Sequence, residues 1–345
     1  MSLRTYPLIV HPEFIDFVSG PNANLALPFF SSDEEVTQIG LPTIPSIFAL
    51  AGYLQVSPGN IAWMIRKKPE HYNTFPITKR SGKQRFISSP RTFLKVTQWW
   101  ILDTILAKAA CSSAVHGFVR GRSFKTNAQC HLGARHLLNI DIKDFFPSIT
   151  WGKVNSVFLE FGYSDKVSAS LADLCTLYES LPQGAPTSPA ISNLVFRSLD
   201  HRIQRMCSEN GFTYTRYADD LTISCHDRID FSVLGELEAT LAEKGFELNR
   251  DKTRWFGPND RMEVTGLRLG CESVAFHRKR LNAARGWFYK IANNPFEHIL
   301  QLDRVRGTLS LIEYVGGPGS KPIIDLGRIA KDRIIMASLQ KSLMT

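Results

Sequence analysis

One short segment, YTRYADDLTIS at residues 214–224, limits the fold of this chain more than any other. Its aromatic, β-branched and hydroxyl residues favour strands, whereas the adjacent Asp219 and Asp220 favour a turn. The pattern therefore predicts a β-hairpin with strands at about 212–217 and 221–225, joined by a tight turn at Ala218, Asp219 and Asp220. Paired aspartates also occur in turns for structural reasons alone, so a chemical role requires further carboxylates nearby.

A hydrophobic segment earlier in the chain supplies such a carboxylate. LLNID at residues 137–141 predicts a buried strand that ends in Asp141, and a buried carboxylate must be balanced by a positive charge or a metal ion. If this strand and the hairpin pair with their ends aligned, Asp141 meets Asp219 and Asp220. Three such carboxylates can hold two Mg²⁺ ions, which suits the joining of nucleotides. Asp144 follows three residues after Asp141. Rather than binding a metal ion, it could cap the backbone or lie beside a triphosphate.

The positive charge of the chain is concentrated in its last third. From Arg250 onward there are 17 of the 41 Lys and Arg residues but only 9 of the 32 acidic ones, so this part carries +8 of the net charge of +9. Such asymmetry predicts a basic C-terminal lobe that faces a polyanion such as nucleic acid, with a solvated basic surface as the alternative. A length of 345 residues with 43% hydrophobic content allows two or three lobes with a substantial core.

Cysteine and histidine spacing argues against a zinc site or a disulfide framework. The six cysteines contain no C-x-x-C pair and the nine histidines no H-x-x-x-H pair, so we expect reduced, mostly buried thiols. The N-terminus lacks the pattern of an export signal, and no run approaches 18 apolar residues. A soluble cytoplasmic protein without a membrane partner is therefore expected, while residues 1–45 receive no functional assignment.

A basic hairpin is predicted upstream of these motifs. HYNTFPITKRSGKQRFISSP forms two strand-like runs around Ser81 and Gly82, which brings several cations together at the tip. We interpret this hairpin as an element that contacts phosphates. The alternative is a charged edge strand whose role is to resist aggregation.

Five segments follow one another in the order NIDIKDFF, QGAPTSP, YADD, NRDKT and VTG. In that order they resemble successive sequence blocks of reverse transcriptases, and YADD resembles the Tyr-x-Asp-Asp signature of that family. The likeness runs from about residue 79 to about residue 270. NAQCH at 127–131 and VTG at 264–266 further resemble the two elements that distinguish bacterial retron reverse transcriptases. Taken alone, NAQCH would instead indicate a helix start that packs His131 against a backbone carbonyl.

The resemblance implies an α+β fold of the right-hand polymerase type. Its palm would be an antiparallel sheet backed by helices, and its thumb would be helical and basic. The expected boundaries are 1–135 for an N-terminal leader and fingers, 136–263 for the catalytic palm and 264–345 for the thumb.

The resemblance also implies roles for individual residues. Asp141, Asp219 and Asp220 would be the catalytic residues and the ligands of two Mg²⁺ ions. The residues expected to bind the nucleotide are Lys83, Arg85, Phe146, Gln183, Gly184 and Lys252. The residues expected to bind RNA are Asn127, His131, Val264, Thr265 and Gly266.

For three of the expected nucleotide-binding residues, the resemblance also implies a specific role. Phe146 would block a 2′-hydroxyl, although simple core packing is the alternative. Gly184 would allow close backbone approach, and Lys252 would neutralise or protonate the leaving pyrophosphate. Tyr217 would pack near the end of the primer.

A retron enzyme would use a cognate structured non-coding RNA as template and as source of a priming 2′-hydroxyl. With deoxynucleoside triphosphates (dNTPs) it would make branched, RNA-linked single-stranded DNA, with a host RNase H removing template. The resemblance further implies a role in defence against phage, often with a separate effector protein. Two alternatives remain open: a reverse transcriptase of a mobile intron or of a defence system without retron RNA, and a nucleic-acid-binding protein without chemistry.

Overall fold

The computed structural model describes residues 40–78, 82 and 84–344. The chain forms two compact units, each assembled from several segments. The first comprises residues up to Val119, Ile142–Ile203 and Gly235–Asn249, and the second comprises Arg120–Asp141, Gln204–Leu234 and the residues from Arg250 onward. The expected boundaries of fingers, palm and thumb stay a prediction. Within the described part of the chain, no helix combines the length and apolar character needed to cross a membrane.

The first unit combines a two-stranded hairpin with helices. Strands β1 (Tyr72–Thr78) and β2 (Gln84–Pro90) pair antiparallel, which confirms the predicted hairpin. Of its expected tip cations, Lys79, Arg80 and Lys83 lie outside the described residues. The helices of this unit are α1 (Ile47–Leu54), α2 (Pro58–Arg66), α3 (Thr92–Thr104), α5 (Trp151–Glu160), α6 (Asp165–Cys175) and most of α7 (Ser188–Glu209) and α8 (Ser232–Ala242).

Three phenylalanine rings form the centre of this unit. Phe145 lies 5.9 Å from Phe196 and 6.3 Å from Phe246, measured between ring centroids, and the latter two rings are 5.0 Å apart. All three side chains are buried, and aromatic contacts of this kind add to the free energy gained from area burial. They anchor the backbone around Phe146, whose own side chain is half-buried.

The second unit contains a four-stranded antiparallel sheet. Its strands are β3 (His136–Asp141), β4 (Thr213–Tyr217), β5 (Asp220–Cys225) and β6 (Arg254–Phe256), in the spatial order β4-β5-β3-β6. Because side chains alternate along a strand, Ile140, Leu221 and Ile223 share one buried face. The opposite face carries Asp141 and Asp220, so both carboxylates lie on the same side of the sheet.

The central hairpin is confirmed, with one shift at its tip. The pair Tyr217↔Asp220 closes the ladder, so Asp220 is the first residue of β5 and the loop contains only Ala218 and Asp219. Two-residue loops in such hairpins favour positive φ, and Ala218 has a φ of 58°. The fully buried Arg216 donates from Nη1 to the carbonyl of Ala218 at 3.1 Å, which supports this unusual backbone.

The remainder of the second unit is a small sheet with helices. Strands β7 (Glu263–Val264), β8 (Leu267–Leu269) and β9 (Val274–Phe276) pair antiparallel in that order. The helices are α4 (Phe124–Gln129), α9 (Arg278–Asn293), α10 (Leu302–Val315) and α11 (Lys321–Met344), which confirms the expected helical character after Arg278. One apolar core joins Val264 and Leu267 to Phe288 and Val305.

Candidate active site

Strand register brings two of the three predicted carboxylates together. Asp141 ends β3, Asp220 begins β5, and the two residues are direct partners in the antiparallel ladder. Directly opposed residues of such strands have Cβ atoms roughly 4.5–5.5 Å apart. Asp219 precedes Asp220 in the two-residue loop, so the three acidic residues gather at one end of the sheet.

The electrostatics of this cluster reflect its crowding. Asp141 is only 8% exposed, whereas part of Asp220 reaches solvent. Burial, followed by the charges of Asp219 and Asp141, raises the pKa of Asp220 to about 7, and Lys252 opposes this shift. The cluster therefore holds more negative charge than its protein surroundings balance, a condition that favours a bound cation.

Lys252 is the cation that the fold itself provides. It ends a short 3₁₀ helix, Arg250–Lys252, and its Nζ donates to both Oδ1 and Oδ2 of Asp141 at 2.8 Å. The Lys252 side chain is more than half exposed, so it can leave this contact without losing a packed position. The sequence predicted that Lys252 neutralises or protonates the leaving pyrophosphate and gave no indication that it pairs with Asp141.

The chemistry of the cluster fits a divalent cation. Carboxylate oxygens are the ligands that Mg²⁺ prefers, and the charges of Asp219 and Asp141 contribute, after burial, to the raised pKa of Asp220. Among the described residues, no three His, Cys, Asp or Glu side chains already converge as a ligand set. Since Lys252 engages both oxygens of Asp141, metal binding at this carboxylate requires the lysine to move.

A cavity of about 550 Å³ opens beside the carboxylates. Asp141, Asp220 and Tyr217 line it together with three cations, Lys252, Arg254 and Arg261. Thr265 and Gly266 of the VTG segment line it too. Two of the three predicted catalytic residues, Asp141 and Asp220, thus share one cavity with part of the predicted RNA-binding set, and its cations suit a polyanion.

The VTG segment forms a tight turn between β7 and β8. Val264 pairs with Leu267, leaving a two-residue loop in which Thr265 has a φ of 48° and Gly266 a φ of 79°. Positive φ at both loop positions is typical of type I′ hairpins. A β-branched residue rarely adopts this conformation, and Thr265 is held there by a hydrogen bond from Oγ1 to the carbonyl of Phe124 at 2.7 Å.

Three of the five residues of the NAQCH segment are buried, whereas Gln129 and Cys130 are exposed. The segment begins within α4, which starts with a capping box between Ser123 and Thr126. Asn127 has no exposed surface, and its side-chain amide finds no hydrogen-bond partner among the described residues. His131 is 1% exposed, with Nδ1 2.7 Å from Ser224 Oγ and Nε2 2.7 Å from Thr215 Oγ1.

Burial divides the predicted RNA-binding residues into two groups. Thr265 and Gly266 face the cavity, whereas Asn127, His131 and Val264 are buried. A direct contact between RNA and the buried three would require local rearrangement. RNA binding by this set stays a prediction.

Most of the predicted nucleotide-binding residues belong to the first unit. Gln183 accepts a hydrogen bond on its carbonyl from the backbone N–H of Ser88 in β2 at 2.8 Å. Gly184 has a φ of 124°, and a Cβ there would lie 2.9 Å from Ile87 Cγ2, so the backbone approach requires glycine. These contacts tie the QG segment to the basic hairpin.

The other members of that set have simpler surroundings. The Phe146 ring lies 5.5 Å from Phe145 and 6.4 Å from Phe118, measured between centroids. Arg85 is exposed on β2 opposite Ile77, and Lys83 lies outside the described residues. Asp144 has a φ of 45°. Its backbone carbonyl accepts a hydrogen bond from the N–H of Ser148 at 2.8 Å, which closes a turn.

Sequence reasoning missed the polar residues that extend the site along the sheet. Asn139 precedes Asp141 by two positions and Thr222 follows Asp220 by two, and both line the cavity. Period-two alternation, applied outward from the aspartates, would have found them. Arg254 and Arg261 carry no such local signal, because their place depends on how β6 and the residues before β7 pack.

Comparisons with known proteins show which family the chain resembles. A family model described as "Reverse transcriptase (RNA-dependent DNA polymerase)" matches residues 67–269. The retron Ec86 reverse transcriptase of Escherichia coli is 34% identical over 289 residues, covering 83% of this chain and 89% of that protein. The retron Mx65 reverse transcriptase of Myxococcus xanthus is 38% identical over 258 residues, covering 68% of this chain and 60% of that protein. The retron Mx162 reverse transcriptase of Myxococcus xanthus is 36% identical over 268 residues, covering 68% and 55%.

Proposed function

The chain belongs to the reverse transcriptase family and, within it, to the retron type, and from this premise we propose that it synthesises DNA on RNA at the Asp141–Asp219–Asp220 cluster. Membership confirms the predicted α+β right-hand polymerase fold, and RNA-directed DNA polymerase activity is the activity of the family. The assignment of that activity to particular residues is our proposal. The observation that carries it is the direct pairing of Asp141 with Asp220 beside Asp219.

These three carboxylates would hold two Mg²⁺ ions. When bound, such ions about 3.5–4 Å apart lower the pKa of the attacking hydroxyl and offset the charge of the leaving phosphates. The protein contributes the fixed spacing of the ladder, which holds Asp141 and Asp220 opposite each other without a flexible loop between them. The low solvent exposure of Asp141 strengthens its attraction for cations.

Lys252 would act in two positions. In the structure it neutralises Asp141, which stabilises the buried carboxylate in the absence of substrate. Its exposed side chain would release Asp141 when cations and nucleotide arrive, and its ammonium group would then face the leaving pyrophosphate. A lysine suits this exchange because its charge lies at the end of a flexible stem.

The first unit would supply the nucleotide-facing residues. Phe146 would pack against the deoxyribose and exclude a 2′-hydroxyl, and its contact with buried Phe145 supports a fixed ring position. Gln183 and Gly184, which pack on β2, would line the nucleotide site, with Arg85 and Lys83 contacting the triphosphate. The basic residues beyond Arg250 would hold the template–primer duplex through its phosphates.

The name of the retron relatives supports a more specific role. We propose that a cognate non-coding RNA serves as template and as donor of the priming 2′-hydroxyl, so that the product is branched RNA-linked single-stranded DNA. RNA binding would involve the Thr265–Gly266 turn, with Asn127, His131 and Val264 beneath it. A host RNase H would remove the template. We further propose that the protein acts in the cytoplasm, in defence against phage, together with a separate effector protein.

The decisive experiment compares matched Asp→Asn variants. Purified protein is given poly(rA)·oligo(dT), dTTP and Mg²⁺, and extension is measured for wild type and for Asp219→Asn/Asp220→Asn. We expect extension by wild type and none by the double variant, with retention of the template–primer by both. Asp227→Asn serves as control, because Asp227 is a fully exposed acid just beyond the far end of β5. Equal synthesis by the double variant would refute the site assignment.

A second arm tests the retron role. RNA that copurifies with the protein is sequenced before and after RNase treatment, and covalently attached DNA is sought. A single RNA species linked to DNA through an RNase-resistant branch supports the proposal. Copurified RNA without attached DNA, from a protein that extends poly(rA)·oligo(dT), would indicate a reverse transcriptase outside the retron reaction.

A further inference from the structure

A closed circuit of hydrogen bonds connects the NAQCH segment, the catalytic sheet and the VTG turn. The first link begins at His131, which lies just after the end of α4. Its backbone N–H donates to the carbonyl of Ala128, a residue of α4, at 3.1 Å. The His131 ring then reaches Ser224 on β5 and Thr215 on β4, each at 2.7 Å. One imidazole therefore joins both strands that carry the Asp219–Asp220 tip.

The second link crosses the sheet. Thr222 on β5 donates from Oγ1 to Oδ1 of Asn139 on β3 at 3.2 Å. Asn139 donates in turn from Nδ2 to the carbonyl of Glu263 in β7 at 2.7 Å. Both side chains line the cavity that contains the carboxylates, so this link passes directly beside the candidate active site.

The third link returns to the starting helix. Two residues after Glu263, Thr265 donates to the carbonyl of Phe124, the first residue of α4. The circuit is thereby closed, since α4 leads back to His131. Its members come from four separated parts of the chain, and all of them belong to the second unit.

The geometry of β5 relates this circuit to the carboxylates. Ser224, Thr222 and Asp220 alternate onto one face of the strand, so the histidine contact and the carboxylate lie on the same side. Four residues of strand place them about 13 Å apart. At that distance His131 does not contact the reacting groups. The strand between them is hydrogen-bonded to a neighbour on each side, so the position of Ser224 fixes the position of Asp220.

We propose that His131 is a positioning residue for DNA synthesis, which holds β4 and β5 through Thr215 and Ser224 so that Asp219 and Asp220 keep their place opposite Asp141. This inference rests on the proposed function of the carboxylate cluster. Three observations carry it: the near-complete burial of the ring, the engagement of both ring nitrogens, and the position of both partners on the catalytic hairpin.

The test removes the two hydroxyl partners rather than the ring alone. Thr215→Val and Ser224→Ala each delete one contact with little change in volume, and His131→Ala deletes both. With poly(rA)·oligo(dT), dTTP and Mg²⁺, we expect kcat to fall roughly ten- to a hundredfold in His131→Ala and less in each hydroxyl variant. The dissociation constant for the template–primer should not change, and the losses from His131→Ala and Thr215→Val should be less than additive.

Thr213→Val is the matched control. Thr213 is exposed on the same strand as Thr215, and the same substitution there should leave kcat unchanged. If His131→Ala does not fold, as judged by thermal melting, the Thr215→Val and Ser224→Ala variants decide the question.

The proposal is overturned if both hydroxyl variants match wild type in kcat, or if His131→Ala weakens template–primer binding while kcat at saturation is retained. These outcomes are distinct from failure of the proposed function. If the proposed function failed, wild-type protein itself would not extend the primer.

Discussion

The hairpins β1–β2 and β4–β5 are both antiparallel strand pairs, but their surroundings are opposite. In β1–β2 nearly every residue is exposed or half-exposed, whereas in β4–β5 most side chains are buried. The exposed hairpin carries Arg85 and hydroxyl residues whose side chains can adapt to a ligand. The buried hairpin holds its carboxylates by ladder register and by His131. The exposed hairpin is therefore suited to contact with a ligand, and the buried hairpin is suited to precise placement of the carboxylates.

The largest expected effect distinguishes the carboxylate cluster from the exposed hairpin β1–β2 by enzyme kinetics. Asp141→Asn should lower kcat at least about a hundredfold, because it removes a carboxylate placed for transition-state charge. Arg85→Ala should raise the KM for dNTP several-fold with kcat retained, because an exposed cation contributes mainly to substrate binding. Steady-state primer extension measures both. A fall of kcat without a change of KM in Arg85→Ala would contradict the proposed division of labour.

A smaller effect compares hydroxyl groups by stability. Thr222→Val removes the half-buried bond to Asn139 and should lower the free energy of unfolding by about 1–3 kcal/mol. Thr74→Val removes the exposed contact with Ser88 and should change it by less than about 0.5 kcal/mol. Urea unfolding at constant slope measures the difference. Equal losses at both sites would show that burial does not distinguish the hairpins energetically.

The last effect concerns pH. Because the folded pKa of Asp220 is about 7 and the unfolded value is about 3.9, protonated Asp220 stabilises the fold fully below about pH 4. This contribution is lost as the pH rises through about 7. In EDTA, the melting temperature of Asp220→Asn relative to wild type should therefore increase between pH 5 and 7 and then level off.

The control for this pH effect is the exposed acid Asp227. Asp227→Asn should give a melting curve parallel to that of wild type across the same pH range. A parallel curve for Asp220→Asn would mean that neither burial nor the neighbouring carboxylates raise the pKa of Asp220 in the folded protein.

Local pattern was sufficient for much of the fold. The β-propensity of residues 214–224 with its central aspartates predicted the hairpin, and the apolar run before Asp141 predicted β3. The tip differed by one residue, because the cross-strand pair Tyr217↔Asp220 extends the ladder beyond what turn propensity indicates. That single residue matters, since it places Asp220 directly opposite Asp141.

The sequence by itself determined the order of the motifs, the family resemblance and the three acidic residues, because these are properties of short segments. Tertiary structure alone decided that Lys252 pairs with Asp141 and that His131 is buried on the catalytic hairpin. The two partners of the Lys252 contact are 111 residues apart in the chain and those of the His131–Ser224 contact 93 residues apart. Contacts at such separations follow from strand register and packing, which no local propensity encodes.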